Sequence, residues 1–378
     1  MIYLDNAATT FPKPSTVYKE TFEALTEYGA NPGRSGHALS MKAGNKIFDA
    51  REKIASFFGA SAEEVCFTKN ATEALNIAIK GSHKDGEIII SDLEHNSVYR
   101  PALKSSKNGL TLKILKTHGT DDEILKRFSE LITRKTKTVC ITHASNVTGQ
   151  ILPVYEIGKI CKKHGLRYIV DASQSAGILP LNVKDCHIDF LCSAGHKSLY
   201  GPMGTGILIA RADAEPLTEG GTGVLSSEKQ MPDFTPERFE SGTLNLPGIV
   251  GLGAGIDFIK SETLEKTAHF ERELMSECLK RLSKEKGITV YSAPPLKNVN
   301  IFSFAVSGSS SGEVSEMLNG FGICVRSGLH CSPLAHRKLK TDKEGLVRAS
   351  FGAFNTENDV LELCRTVSEI NRYFQNKI

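Results

Sequence analysis

Ser193-Ala-Gly-His-Lys-Ser-Leu-Tyr-Gly-Pro-Met-Gly204 lies between two apolar runs, Ile188 to Cys192 and Gly206 to Ala210. Each run has the length and composition of a buried strand. The segment between them carries one lysine, one histidine, two serines and three glycines. Lys197 therefore either faces solvent in a turn or is held inside the protein. Held inside, its charged form is disfavoured, and its amine can act as a nucleophile or a base. The segment alone leaves both readings open.

Upstream, strand and helix patterns alternate. Glu64–Thr68, Glu87–Ser91, Leu112–Leu115, Thr138–Thr142 and Arg167–Asp171 read as strands. Ala71–Lys80, Asp121–Leu131 and Tyr155–His164 read as helices, preceded by helical patterns over Thr16–Tyr28 and Leu39–Phe57 with a loop at Asn31–His37 between them. Such alternation predicts an α/β domain with a mostly parallel sheet, whose sites gather at the carboxyl ends of strands. Asp171 and Lys197 both fall there. Downstream, the stretch 211–247 contains four prolines and little periodicity. It is long for a structureless connection and is expected at a functional site or an interface. Helices follow at Gly248–Glu262 and Leu264–Lys286. A strand at Ile301–Ala305, a helix at Ser311–Leu318, a loop over Arg326–Thr341, a strand at Leu346–Ser350 and a helix at Glu357–Phe374 complete the chain.

With 378 residues, 40% hydrophobic and 24% charged, the composition is that of a globular protein with room for more than one domain. A net charge of +3 without basic runs gives no argument for nucleic acid or an acidic membrane surface. The N-terminus lacks the basic and apolar segments of a secretory signal, and no apolar run reaches membrane-spanning length. The nine cysteines are scattered, with no Cys-x-x-Cys pair, so neither a zinc site nor a redox pair is suggested. Most sit in apolar runs and fit a reducing cytoplasm.

Cys331 is the exception. It lies in a polar loop with Arg326, His330, His336 and Arg337 nearby. A thiol among cations is a candidate low-pKa nucleophile, although an incidental surface thiol has the same signature. Asp171 can cap a helix, or it can face a cationic ring nitrogen. A strand-end Asp preceding a strand-end Lys is what a pyridoxal phosphate enzyme needs. Lys69-Asn-Ala-Thr-Glu-Ala74 joins a strand to a helix and offers the Ala71 and Thr72 N–H groups and the Thr72 hydroxyl to a phosphate. Ser193 and His196 can add donors. His95 can stack on a flat ring. Asn146 can donate to a ring or substrate oxygen, or can simply form a turn. Leu252-Gly-Ala-Gly-Ile256 lacks the third glycine of a dinucleotide fingerprint and follows no strand.

Taken together, nine segments resemble the class V aminotransferase family, and most closely its cysteine desulfurases of the Nif/Isc/Suf type. They are Tyr3–Thr10, Phe67–Asn76, Glu94-His95, Ser145–Gly149, Asp171–Gly177, Ser193–Lys197, Phe239–Thr243, Arg326–Cys331 and Val347–Ser350. The resemblance implies fold type I, a homodimer and a pyridoxal 5'-phosphate cofactor held covalently by Lys197. The large cofactor domain would span residues 15–255, with a mixed, mostly parallel seven-stranded sheet. A smaller α+β domain would comprise residues 1–14 and 256–378 and carry the Cys331 loop.

The same resemblance implies that Asp171 pairs with the pyridine nitrogen, Gln174 reaches the ring hydroxyl and His95 stacks on the ring. Ala71, Thr72, Ser193 and His196 would hold the phosphate, with Thr243 supplied by the other subunit. Asn146, Arg326 and Arg348 would bind the amino acid. Catalysis would fall to Lys197, Cys331 and His95. L-cysteine would become L-alanine, with sulfur held on Cys331 as a persulfide for an acceptor protein. A selenocysteine lyase, a cysteine sulfinate desulfinase and a cofactor-free sulfur-transfer scaffold are the alternatives. The short spacing from Cys331 to Arg348 favours the Suf-like group. Leu329, where that group usually carries a second His, and the continuation Ser332-Pro-Leu-Ala-His-Arg-Lys338 depart from its pattern.

Overall fold

The two apolar runs around Lys197 become adjacent strands, Phe190–Ala194 and Gly206–Ala210, in a computed structural model that describes residues 1–32 and 36–377. They are joined without a crossover helix, so they must pair antiparallel. The remaining strands are linked by helical crossovers and run parallel: Arg167–Asp171, Thr136–Thr142, Gly86–Ser91 and Leu110–Leu115. Val65–Thr68 closes the other edge, antiparallel to Gly206–Ala210. The result is a mixed seven-stranded sheet. Its central strands are almost wholly buried because both faces are covered. Alternate residues feed two cores. Ile89 and Ile141 pack with helices Ala38–Phe58, Val154–His164 and Leu246–Glu262, whereas Ile88, Ile90 and Cys140 pack against helix Ala71–Gly81.

A second, four-stranded antiparallel sheet has the order Arg326–Gly328, Leu346–Ser350, Ile301–Val306, Ile288–Val290. It shares a separate apolar core with helices Leu264–Leu282, Ser311–Gly320 and Glu357–Gln375. In Leu264–Leu282 the face carrying Ala268, Glu271, Met275, Cys278 and Leu282 is buried. Strand Ile2–Tyr3 pairs in parallel with Ile323–Cys324, so the N-terminal arm docks on this part of the molecule.

Two expectations need correction. The stretch Arg326–Thr341 is not all loop: it contains strand Arg326–Gly328 and helix Pro333–Leu339, both too short to show a hydrophobic period. A helix over Asn96–Ser106 was not foreseen, because Arg100, Pro101 and Lys104 interrupt its pattern. The stretch 211–245 forms no helix or strand. The expected loop at Asn31–His37 lies in part, at residues 33–35, outside the described residues. Among the described residues no helix is long and apolar enough to cross a membrane.

Candidate active site

One cavity at the carboxyl ends of the central strands gathers most of the residues singled out from sequence. Ala71, Thr72, His95, Asn146, Asp171, Gln174, His196, Lys197, Arg326, Cys331 and Arg348 all line it. Ser193 does not. Alternation along strand Phe190–Ala194 turns Ala194 to the cavity and Ser193 to the opposite face, where its hydroxyl is buried without a partner. Thr243 is also elsewhere, in a groove formed by the 211–247 stretch and helix Ala38–Phe58.

The lysine segment is held from outside the sheet. The His196 carbonyl accepts from the Thr10 N–H, the Thr9 and Thr10 hydroxyls and the Lys13 ammonium, the last at 2.6 Å. The Thr10 hydroxyl also donates to the Lys197 carbonyl at 3.1 Å. Burial, against the pull of Asp171 and with the Arg348 and Arg326 charges, lowers the Lys197 amine to about 8. Asp171 accepts the Ser173 N–H at 2.9 Å and the Ser173 hydroxyl at 2.5 Å, both on Oδ1. Oδ2 is left for another donor. Burial raises the Asp171 carboxyl, and Ser173 and the Lys197 charge oppose that rise.

On the facing side, Asn70 caps helix Ala71–Gly81 by accepting the Glu73 N–H, so the Ala71 and Thr72 N–H groups at the helix start have no intrahelical acceptor. The Thr72 hydroxyl is 2.7 Å from Ser97 Oγ, which is 2.8 Å from His95 Nδ1. His95 itself caps helix Asn96–Ser106, with Nδ1 accepting the Ser97 N–H. Burial, then the charges of Lys197, Arg326, Arg348 and Arg100, push His95 down to about 4. The ring is therefore neutral, and its proton sits on Nε2. Ser97 was not singled out from sequence, because the helix that His95 caps, and with it the place of Ser97 in the first turn, was not foreseen.

Three further groups arrive already engaged. Gln174 Nε2 donates to the Ala7 carbonyl at 3.0 Å. The Asn146 amide is committed to the Cys331 loop: Nδ2 donates to the His330 carbonyl at 2.7 Å, and Oδ1 accepts the Ser332 hydroxyl at 2.6 Å. Buried Arg348 donates to the Asn146 carbonyl at 2.9 Å and pairs with Asp5 at 3.0 Å. Asp5 was quoted within the N-terminal segment but given no role; only the fold brings it to residue 348.

Cys331 is the exposed one among the nine free cysteines, and Arg326 Nη2 lies 4.0 Å from its sulfur. Its carbonyl accepts the Asn96 N–H at 2.7 Å, which ties the loop to the helix that His95 caps.

A buried lysine and a carboxylate at the ends of neighbouring strands of this mixed sheet define the fold type I class of pyridoxal phosphate enzymes. Within that class the chain belongs to the class V aminotransferase family, whose model matches residues 2–363. Similar proteins include a probable cysteine desulfurase of Methanothermobacter thermautotrophicus, 36% identical over 98% of this chain and 94% of its own length. Another, from Halalkalibacterium halodurans, is 34% identical over 99% and 94%. Among solved structures, the apo cysteine desulfurase of Thermococcus onnurineus superposes with a TM-score of 0.90 at 35% identity, covering 98% of this chain and 94% of that one. The cysteine desulfurase CsdA of Escherichia coli, solved as its S-sulfonic acid form, gives 0.87 at 26% identity, covering 97% and 94%.

Proposed function

We propose that this protein is a pyridoxal-phosphate-dependent cysteine desulfurase. It converts L-cysteine to L-alanine and leaves the sulfur as a persulfide on Cys331 for an acceptor protein. The observation that carries this reading is the position of Cys331: an exposed thiol beside Arg326, on the wall of the cavity that holds Lys197. The names of the similar proteins support it.

The cavity fits the cofactor. His196 Nδ1 is buried with no protein partner. Together with the Thr72 hydroxyl and the Ala71 and Thr72 N–H groups, it suits a phosphate at a helix start. Asp171 suits a protonated ring nitrogen, Gln174 a ring oxygen, His95 a ring face and Lys197 the covalent bond. Bound there, the cofactor supplies an electron-withdrawing ring that makes the substrate α-proton removable.

Arg348 receives the substrate carboxylate, with Asn146 and Arg326 beside it. Lys197, its amine held near neutrality, takes the α-proton, and His95 is placed to carry protons at the same centre. Cys331 attacks the substrate sulfur as thiolate. The Cys331 Sγ–S bond forms and the substrate Cβ–S bond breaks. Cβ keeps the electron pair and gains a proton. In sum, cysteine and the Cys331 thiol become alanine and a persulfide.

The reading includes a homodimer with Thr243 supplied across the interface, a large domain over 15–255, a small one over 1–14 and 256–378, and a cytoplasmic setting. The exposed side chains of Phe22, Leu25, Phe48, Val224 and Leu225 are apolar area that such a dimer would cover. The test is Cys331→Ala. It should keep the cofactor's visible absorbance and lose at least about 100-fold in alanine formation from cysteine. Full activity in that variant would sink the persulfide route.

A further inference from the structure

Behind Cys331 runs a line of buried polar groups that the reaction above does not use. His330 is 3% exposed and His336 is wholly buried. Their ring planes lie within 19° of each other, with centroids 5.5 Å apart, and His330 Nδ1 is 3.3 Å from His336 Nε2. His336 Nδ1 lies 2.8 Å from the Thr341 hydroxyl. At the other end, His330 Nε2 lies 3.4 Å from the Arg326 carbonyl oxygen.

The last member fixes the direction of every proton in the line. A carbonyl only accepts, so His330 carries its N–H on Nε2. A neutral imidazole has one N–H, so His330 Nδ1 accepts, and its donor is His336 Nε2–H. His336 Nδ1 then accepts the Thr341 hydroxyl proton. Neutrality follows from the setting. Burial, then Arg348, His336 and Arg326, push His330 down to about 2. Burial also lowers His336, against a hydrogen bond with the Thr341 backbone and the Asp342 carboxylate.

What the line holds is a strained turn. His330 and Cys331 have φ of 49° and 56°, two consecutive non-glycine residues in the left-handed region. Such residues persist only where their surroundings over-determine them. The Asn146 amide and the Asn96 N–H fix the two carbonyls of the turn. The histidine line fixes the His330 side chain and joins it to the backbone of Arg326, whose guanidinium faces the Cys331 sulfur.

We propose that Thr341–His336–His330 is a positioning relay that locks His330 in one tautomer and so holds Cys331 and Arg326 in reacting position. The proposal rests on the desulfurase reading. His336 and Thr341 do not line the cavity, so both are positioning residues.

The test compares Thr341→Val with Thr341→Ser in the cofactor-loaded enzyme, by steady-state kinetics on L-cysteine and by hydrogen exchange of the 329–336 amides. Thr341→Val should lower kcat about tenfold, leave KM within twofold and the cofactor absorbance unchanged, and speed amide exchange. Thr341→Ser, which restores the hydroxyl, should recover kcat to within about twofold and slow the exchange again. A Val variant with wild-type kcat and exchange would overturn the relay, as would a Ser variant equally impaired or a loss confined to KM. If Thr341→Val does not fold, His336→Gln, which keeps a donor toward His330, is compared with His336→Phe, which does not. Higher kcat in the Gln variant supports the relay, and equal kcat overturns it. A wild-type enzyme that made no alanine from cysteine would defeat the desulfurase reading, while the exchange comparison would still decide whether the line holds the turn.

Discussion

Arg348 reaches the cavity with much of its fork already used, on the Asn146 carbonyl and on Asp5. Its Nε is buried without a partner. A substrate carboxylate would complete the guanidinium's bonding and would be read by geometry as well as by charge. Arg348→Lys keeps the charge and loses the fork. It should raise KM for cysteine about tenfold or more, with a smaller change in kcat, as read from initial rates over a wide cysteine range. The residue scale is also where sequence reading erred most usefully. Ser193 and Ala194 differ by one position, and a strand turns adjacent residues to opposite faces. Only the structure decides which of the two meets the cavity. Asn146 was legible as a polar group near the site. That its amide spans the Cys331 loop depends on a contact 184 residues away in sequence.

At the scale of elements, the sheet was read well because long apolar strands and amphipathic helices repeat their signals. Strands Arg167–Asp171 and Gly206–Ala210 end where their composition changes. Short pieces were not legible. Helix Pro333–Leu339 spans seven residues, and its clue was a proline at the first helical turn. Helix Asn96–Ser106 carries Pro101 inside it. The cavity-facing start of helix Ala71–Gly81 depends on a close approach. A Cβ on Gly206 would lie 2.5 Å from the Asn70 carbonyl carbon, against backbone that cannot swing aside. Gly206→Ala should therefore push that helix start off the sheet. The expected cost is about 1–3 kcal/mol of stability, with weaker retention of pyridoxal phosphate, measured by denaturant titration and by absorbance after dialysis.

At the scale of the molecule, the two sheets meet through a buried carboxyl. Glu271, on helix Leu264–Leu282, is 3.3 Å from the Tyr200 hydroxyl, just beyond Lys197, and 2.5 Å from Asn300 Nδ2. Burial raises it to about 8, partly offset by those two hydrogen bonds. The folded protein thus keeps a proton that the unfolded chain releases near 4.5, and stability falls as pH rises from about 4.5 to about 8. Glu271→Gln removes this titration. Its denaturation midpoint should gain on the wild type steadily across that window and level off above it; a constant difference between pH 5 and 8 would contradict the assignment.

Assembly is testable at the same scale. Phe48 is 50% exposed and lines the groove that contains Thr243. If the proposed homodimer forms through this groove, Phe48→Asp should shift the protein toward monomer on sizing and loosen the cofactor in parallel. The overall architecture and the positions of Lys197, Asp171 and Cys331 were open to sequence reading because each sits in a locally recognisable segment. The contacts that couple them were not, since they join residues that are distant along the chain.

The N-terminal arm gives this organisation a direction in time. Residues 2–13 precede every other element of this fold along the chain. Yet their partners are the carbonyls of His196 and Lys197, strand Ile323–Cys324, Arg348 and Ser350. Part of this arm has partners once residues 196 and 197 exist, and the rest only when residues 323–350 do. The Lys197 segment and Arg348 are thus fastened by one strap, which closes only when residues 348–350 are in place. A chain ending before residue 348 would carry all seven strands of the large sheet and Lys197, but would lack the Arg348 wall of the cavity.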